Sequence, residues 1–67
     1  MKMSNETIYS GIPRRPIARK VQAGQYLYLQ TLSGRNIAKF DFNNNRTYDA
    51  NGKFYGDGNM LDRLLPV

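Results

Sequence analysis

The sequence predicts an all-β domain, mainly antiparallel hairpins in a meander, ending in a short C-terminal helical turn. Three observations carry this prediction. Asn51-Gly52 separates the β-prone runs Thr47-Tyr48-Asp49-Ala50 and Lys53-Phe54-Tyr55, and Asn-Gly in that setting is the strongest short hairpin signal, because both residues accept positive φ. The longer runs Gln25 to Leu32 and Arg35 to Phe42 alternate between apolar and polar side chains, as a half-buried strand does. Three segments also recur at offsets of 20 and 18 residues: Arg15, Ile17, Ala18; Arg35, Ile37, Ala38; Lys53, Tyr55, Gly56. Each has a basic residue, one variable position, a large apolar residue and a small one. That period suits one hairpin per unit, since two strands of about 5–6 residues and their turns fill such a length.

The chain is expected to form one domain over residues 1–67, with residues 1–7 loosely held. Ile12-Pro13-Arg14-Arg15-Pro16 is stiff, because each proline fixes its own φ and pushes the preceding residue toward extended geometry, so it reads as an edge or a loop. A strand from Ile17 to Gln22 follows, turned by Ala23-Gly24 into Gln25 to Leu32. There Leu27, Leu29 and Thr31 share one face and Tyr26, Tyr28 and Gln30 the other. Ser33-Gly34 leads into the next strand, with Ala38, Phe40 and Phe42 on one face and Arg35, Ile37, Lys39 and Asp41 opposite. Asn43-Asn44-Asn45 should turn the chain again, since asparagine bonds its own backbone and tolerates the left-handed region. Near the end, Asn59 or Asp57 is expected to cap one or two helical turns that Pro66 stops. So short a helix is unstable alone in water, and Met60, Leu61, Leu64 and Leu65 must pack on the sheet or on a neighbouring subunit.

Composition narrows the function. A chain of 67 residues buries only about 60% of its unfolded surface and needs a supplement to its core. With no Cys and no His, disulfides, thiolate zinc sites and imidazole-based triads are excluded. Self-association is the supplement left, and a homo-oligomer is expected. No carboxylate pair is placed by a recognisable catalytic motif, so the chain reads as a binding protein and not an enzyme, with no cofactor. Asp57-Gly58-Asn59 with Asp62 echoes part of a calcium loop, but the full order of oxygen ligands is missing. MKMSNETIYSG has no apolar signal core, and no run approaches the ~20 apolar residues of a membrane span, which points to a cytoplasmic protein with no membrane partner.

The net charge of +5 is unevenly spread. Residues 1–39 hold seven basic side chains against Glu6, whereas residues 40–67 hold three against four acidic ones. A one-sided basic surface attracts phosphates, nucleotides or acidic protein surfaces.

The phrases LSGRNIAKFD and NRTYDANGKFYGDGNML resemble the bacterial repeat proteins called four-fold β-flower proteins, whose units read roughly Tyr-Asp-x-x-Gly-(Arg/Lys)-x-x-Gly. The likeness runs from about Tyr28 to Leu65 and is best at Tyr48-Asp49-Ala50-Asn51-Gly52-Lys53. Arg14 to Lys20 departs from it, having Pro16 and no glycine before Arg15. The resemblance implies a ring of hairpins and brings no activity or catalytic residues.

The candidate anion-binding residues are therefore Arg14, Arg15, Arg19 and Lys20, joined by Arg35 and Lys53 through the recurring pattern. Arginine outnumbers lysine six to four, and its planar guanidinium suits bidentate contacts to phosphate or carboxylate. Tyr26, Tyr28 and Tyr55, with Tyr48, are candidates to stack bases, or else strand residues paired across the sheet. Three functions fit: an oligomer binding an anionic ligand, either nucleotide or nucleic acid; a compact inhibitor or adaptor of the phage type that binds a host protein; and a structural assembly element joined through the tail from Met60 to Val67.

Overall fold

Six strands, each hydrogen-bonded to the next in sequence, make one antiparallel sheet: β1 (Asn5–Ser10), β2 (Arg15–Ala23), β3 (Tyr26–Gln30), β4 (Asn36–Asp41), β5 (Arg46–Asp49) and β6 (Phe54–Asp57). A single 3-10 turn, η1 (Leu61–Leu64), follows. The structure is a computed structural model and describes residues 5–65.

The hairpin turns repeat in atomic detail. Gly34 N–H donates to the Thr31 carbonyl at 3.0 Å and Thr31 N–H to the Arg35 carbonyl at 2.8 Å; 18 residues on, Gly52 N–H donates to Asp49 at 3.0 Å and Asp49 N–H to Lys53 at 2.9 Å. Side chains copy the pattern as well. Thr31 Oγ1 accepts the Arg35 N–H at 3.0 Å, and Asp49 Oδ1 accepts the Lys53 N–H at 3.0 Å. Both loops close on a left-handed glycine, Gly34 at φ 94° and Gly52 at φ 81°, which only a residue without Cβ adopts freely. The Asn51-Gly52 turn thus differs from the expected form. Only Gly52 takes positive φ, while Asn51 donates its N–H to Asp49 Oδ1 at 2.9 Å.

The recurring segments mark a second repeated device, a β-bulge at the start of each even strand. Ile8 pairs with Ala18 and Tyr9 with Pro16; Leu29 pairs with Ala38 and Gln30 with Asn36; Thr47 pairs with Gly56 and Tyr48 with Phe54. Ile17, Ile37 and Tyr55 are the extra residues, so the large apolar position of the pattern is the bulge and the small position is the first inward residue after it. A bulge bends and twists its strand. It also explains Pro16, which sits where the ladder is already interrupted. Ile37 was expected on the outer face beside Lys39, but the bulge turns it toward the core.

Ala18, Leu29, Ala38, Phe40 and Leu61 form the core, with Leu27, Ile8, Ile17, Ile37, Leu64 and Leu65 packed around it. Leu27 and Leu29 face Phe40 and Ala38 across β3 and β4, as the alternation predicted. The C-terminal segment covers this inner face. Leu61 is fully buried, and the Met60 side chain packs over Gly56, 3.5 Å from where a Cβ there would sit. The tail therefore packs on the sheet of its own chain. The residue at the cap position is Met60, whose side chain makes no capping bond, so neither Asn59 nor Asp57 caps the turn as expected; Asn59 Oδ1 accepts the Leu61 N–H at 3.2 Å in a local asparagine turn just ahead of it. The stop expected at Pro66 lies outside the described residues.

Thr47 fastens the tail. Its buried hydroxyl donates to the Gly58 carbonyl at 2.6 Å and accepts the Met60 N–H at 3.0 Å. Thr47→Val keeps the shape and leaves both backbone groups without that partner, at about 1–3 kcal/mol for each group left buried and unpaired. The expected result is a lower urea midpoint with an unchanged sheet spectrum by circular dichroism.

β1 was not anticipated. Asn5–Thr7, expected to be loose, pair with Val21, Lys20 and Arg19, and the chain reverses through residues 11–14. Thr7-Ile8-Tyr9 is the β-prone run that signals this strand, though it is too short to show a period.

Candidate nucleic-acid interface

The tail packs on one face of the sheet, which leaves the opposite face without that cover. Its side chains follow from register. Val21 pairs with Tyr28, Tyr28 with Lys39, Lys39 with Tyr48 and Tyr48 with Phe54, so five neighbouring strands contribute one row. Successive members of such a row stand about 4.8 Å apart. In the adjoining row Tyr26 pairs with Asp41, Asp41 with Arg46 and Arg46 with Asp57.

The side chains follow this grouping. The Tyr26 and Tyr28 rings lie 5.8 Å apart, and Tyr48 meets Phe54 edge to face at 6.4 Å. Lys39 Nζ lies 4.7 Å from the Tyr26 ring centre and 5.9 Å from that of Tyr48, and the Arg46 guanidinium lies 5.5 Å from Phe54. Cations over aromatic faces gain about 0.5–1 kcal/mol each at exposed sites. They also hold positive charge at the level of the rings. Asp41 is buried despite its outward register, because Gln25 Nε2 donates to both its oxygens, at 3.3 and 3.2 Å, and the Asn43 N–H donates to one at 2.8 Å.

An open groove of about 230 Å³ adjoins the row at the end of the sheet that carries the 31–35 and 50–53 turns. Tyr28, Asn36, Lys39, Asp49, Ala50 and Gly52 line it, with Ala38.

The sequence-derived candidates separate into three groups. In a meander alternate reversals lie at the same end, so the turns at 11–14, 31–35 and 50–53 share one rim. Arg14, Arg15, Arg35 and Lys53 belong to that rim, with Arg15, Arg35 and Lys53 each just ahead of a bulge. Arg14 lies over the Tyr9 ring at 5.1 Å. Arg19 lies further along β2, opposite Gln30, and its Nε is enclosed with no hydrogen-bond partner among the described residues. Its Nη2 reaches the Gly34 turn, 3.4 Å from where a Cβ there would sit. Lys20 leaves the cluster. It projects to the covered face and pairs with Asp62 at 2.9 Å.

Among the aromatic candidates Tyr26, Tyr28 and Tyr48 come together, and Tyr55 does not. It is the bulged residue of an edge strand, and Phe54 is the residue that pairs with Tyr48. Lys39, Arg46 and Phe54 were missed. Their signal is cross-strand register, which a single strand's alternation does not contain.

The chain matches no family model, no curated protein and no solved structure. What stands of the likeness to four-fold β-flower proteins is a meander of hairpins with a repeated turn. Among the described residues no helix is long and apolar enough to cross a membrane.

Proposed function

We propose that this protein binds single-stranded nucleic acid, stacking bases on the outer face of its sheet and holding phosphates with the cations around it. The observation that carries the reading is Lys39, set between Tyr28 and Tyr48 in register with its ammonium over Tyr26. Proteins that take single strands without strict sequence preference combine aromatic platforms with a positively charged track. Tyr26, Tyr28, Tyr48 and Phe54 supply the platform. Lys39 and Arg46 lie among the rings, while Arg14, Arg15, Arg35 and Lys53 extend the charge along one rim. Arg19, opposite Gln30 on the same face as Tyr28, adds a further cation.

The test is a titration of labelled uridine-rich RNA and thymidine-rich DNA at two salt concentrations. Affinity should fall with salt at a slope of about −0.7 per phosphate neutralised on a single strand, and Arg35→Ala with Lys53→Ala should lower that slope by about 0.7 for each phosphate that is no longer neutralised. No binding at low salt rejects the reading.

A second reading has one observation behind it. Ile12 is fully exposed at the tip of the 11–14 turn, and Leu32 is half exposed in the 31–35 turn on the same rim. Apolar side chains ringed by arginine suit an acidic protein surface. That reading predicts a stoichiometric protein complex and no oligonucleotide binding in the same titration.

A further inference from the structure

We infer that the groove beside Tyr28 is a base-reading subsite that selects guanine; the inference rests on the proposal that the outer face binds nucleic acid. A volume of about 230 Å³ falls below the ~300–1,000 Å³ of pockets for drug-sized ligands, which is the scale of a single ring system. Tyr28 offers a ring face on which a base stacks, continuous with the platform.

The polar lining decides which base. Asp49 Oδ1 is occupied, accepting the N–H groups of Asn51 and Lys53 at 2.9 and 3.0 Å. These bonds fix the carboxylate and leave its second oxygen to accept from a ligand. Asn36 Oδ1 accepts from Gln30 Nε2 at 2.9 Å, which orients the amide and leaves its NH₂ to donate. Lys39 adds a second donor on the same lining. The lining thus combines a fixed anionic acceptor with two donor side chains.

Of the four bases, guanine alone carries two adjacent donors, N1–H and the N2 amino group, next to the O6 acceptor. The carboxylate oxygen accepts from the first two while Asn36 or Lys39 donates to O6, the pairing lysine makes with guanine elsewhere. Adenine would set its N1 lone pair against the carboxylate, and uracil would bring two carbonyl oxygens with its one N–H. Cytosine offers its amino group but pairs it with the bare N3. Reading an unstacked base on this edge is how sequence is recognised in single strands.

The experiment measures anisotropy of labelled uridine heptamers carrying G, A, C or U at the centre, with GMP, AMP, CMP and UMP as competitors. The guanine strand should bind about tenfold or more tighter than the others, the discrimination expected of one well-placed bidentate contact. In Asp49→Asn the turn-holding oxygen remains and the free oxygen becomes a donor, so the ratio of guanine to uracil affinity should collapse. Asn36→Ala should lower the same ratio without touching the turn bonds of Asp49. Competition by GMP alone marks a free nucleotide as a sufficient ligand, whereas a preference seen only in strands marks the strand. Equal affinity for all four strands, or a guanine preference unchanged in Asp49→Asn, overturns the inference and leaves the stacking face standing. No binding of any strand removes that face as well.

Discussion

Tyr48→Ala is expected to weaken binding of a single-stranded oligonucleotide by about 1–3 kcal/mol, the contribution of one base stacked on one ring. Since about 1.4 kcal/mol is tenfold in Kd, the effect is large enough to read in a simple titration. Tyr48 is the informative ring because it touches both neighbours of the platform. It pairs with Lys39 on one side and with Phe54 on the other. Removing it separates Phe54 from the rest of the row and leaves the Lys39 ammonium with Tyr26 alone. Tyr48→Phe keeps the ring and gives up only the hydroxyl that accepts from Asn44 Nδ2 at 2.9 Å, so it should bind nearly as the parent does. If Ala and Phe variants bind alike, the ring carries no base and the stacking face is wrong. A urea titration of each variant separates weaker binding from a weaker fold.

Leu61→Ala should have the largest effect on stability. Leu61 is fully buried and, among the described residues, is the one member of the buried core that does not come from the sheet. Truncating a buried leucine costs about 2–5 kcal/mol, depending on how far the site collapses. A domain of this length has only about 0.05–0.15 kcal/mol per residue to lose. The variant is therefore expected to lose a large share of its stability, with its urea midpoint moved well down. An unchanged midpoint would mean that the tail does not close the sheet in solution. The variant leaves the outer face untouched, so wherever it remains folded it should still bind oligonucleotide.

Much of this fold is legible residue by residue. Gly34 and Gly52 had to end their loops in the left-handed region, and the alternation of Leu27, Leu29, Ala38 and Phe40 had to turn one face inward. The recurrence of a basic residue, a large apolar one and a small one was also visible as a pattern. Its meaning was not, because a bulge exists only between two strands and Ile17, Ile37 and Tyr55 look like ordinary strand residues in isolation.

The sequence by itself determined the class of fold, the places where the chain reverses after Gln22 and the inward face of Leu27, Leu29, Ala38 and Phe40, for each of these is set by a residue and its near neighbours in the chain. Only the tertiary structure decided that Lys20 would be drawn to Asp62, that Tyr55 would stand apart, and that Lys39 would sit between Tyr28 and Tyr48. The reason is physical. Local chemistry fixes where the chain reverses, but which side chains meet is fixed by register between strands, and one residue of slippage or one bulge exchanges the two faces of a sheet.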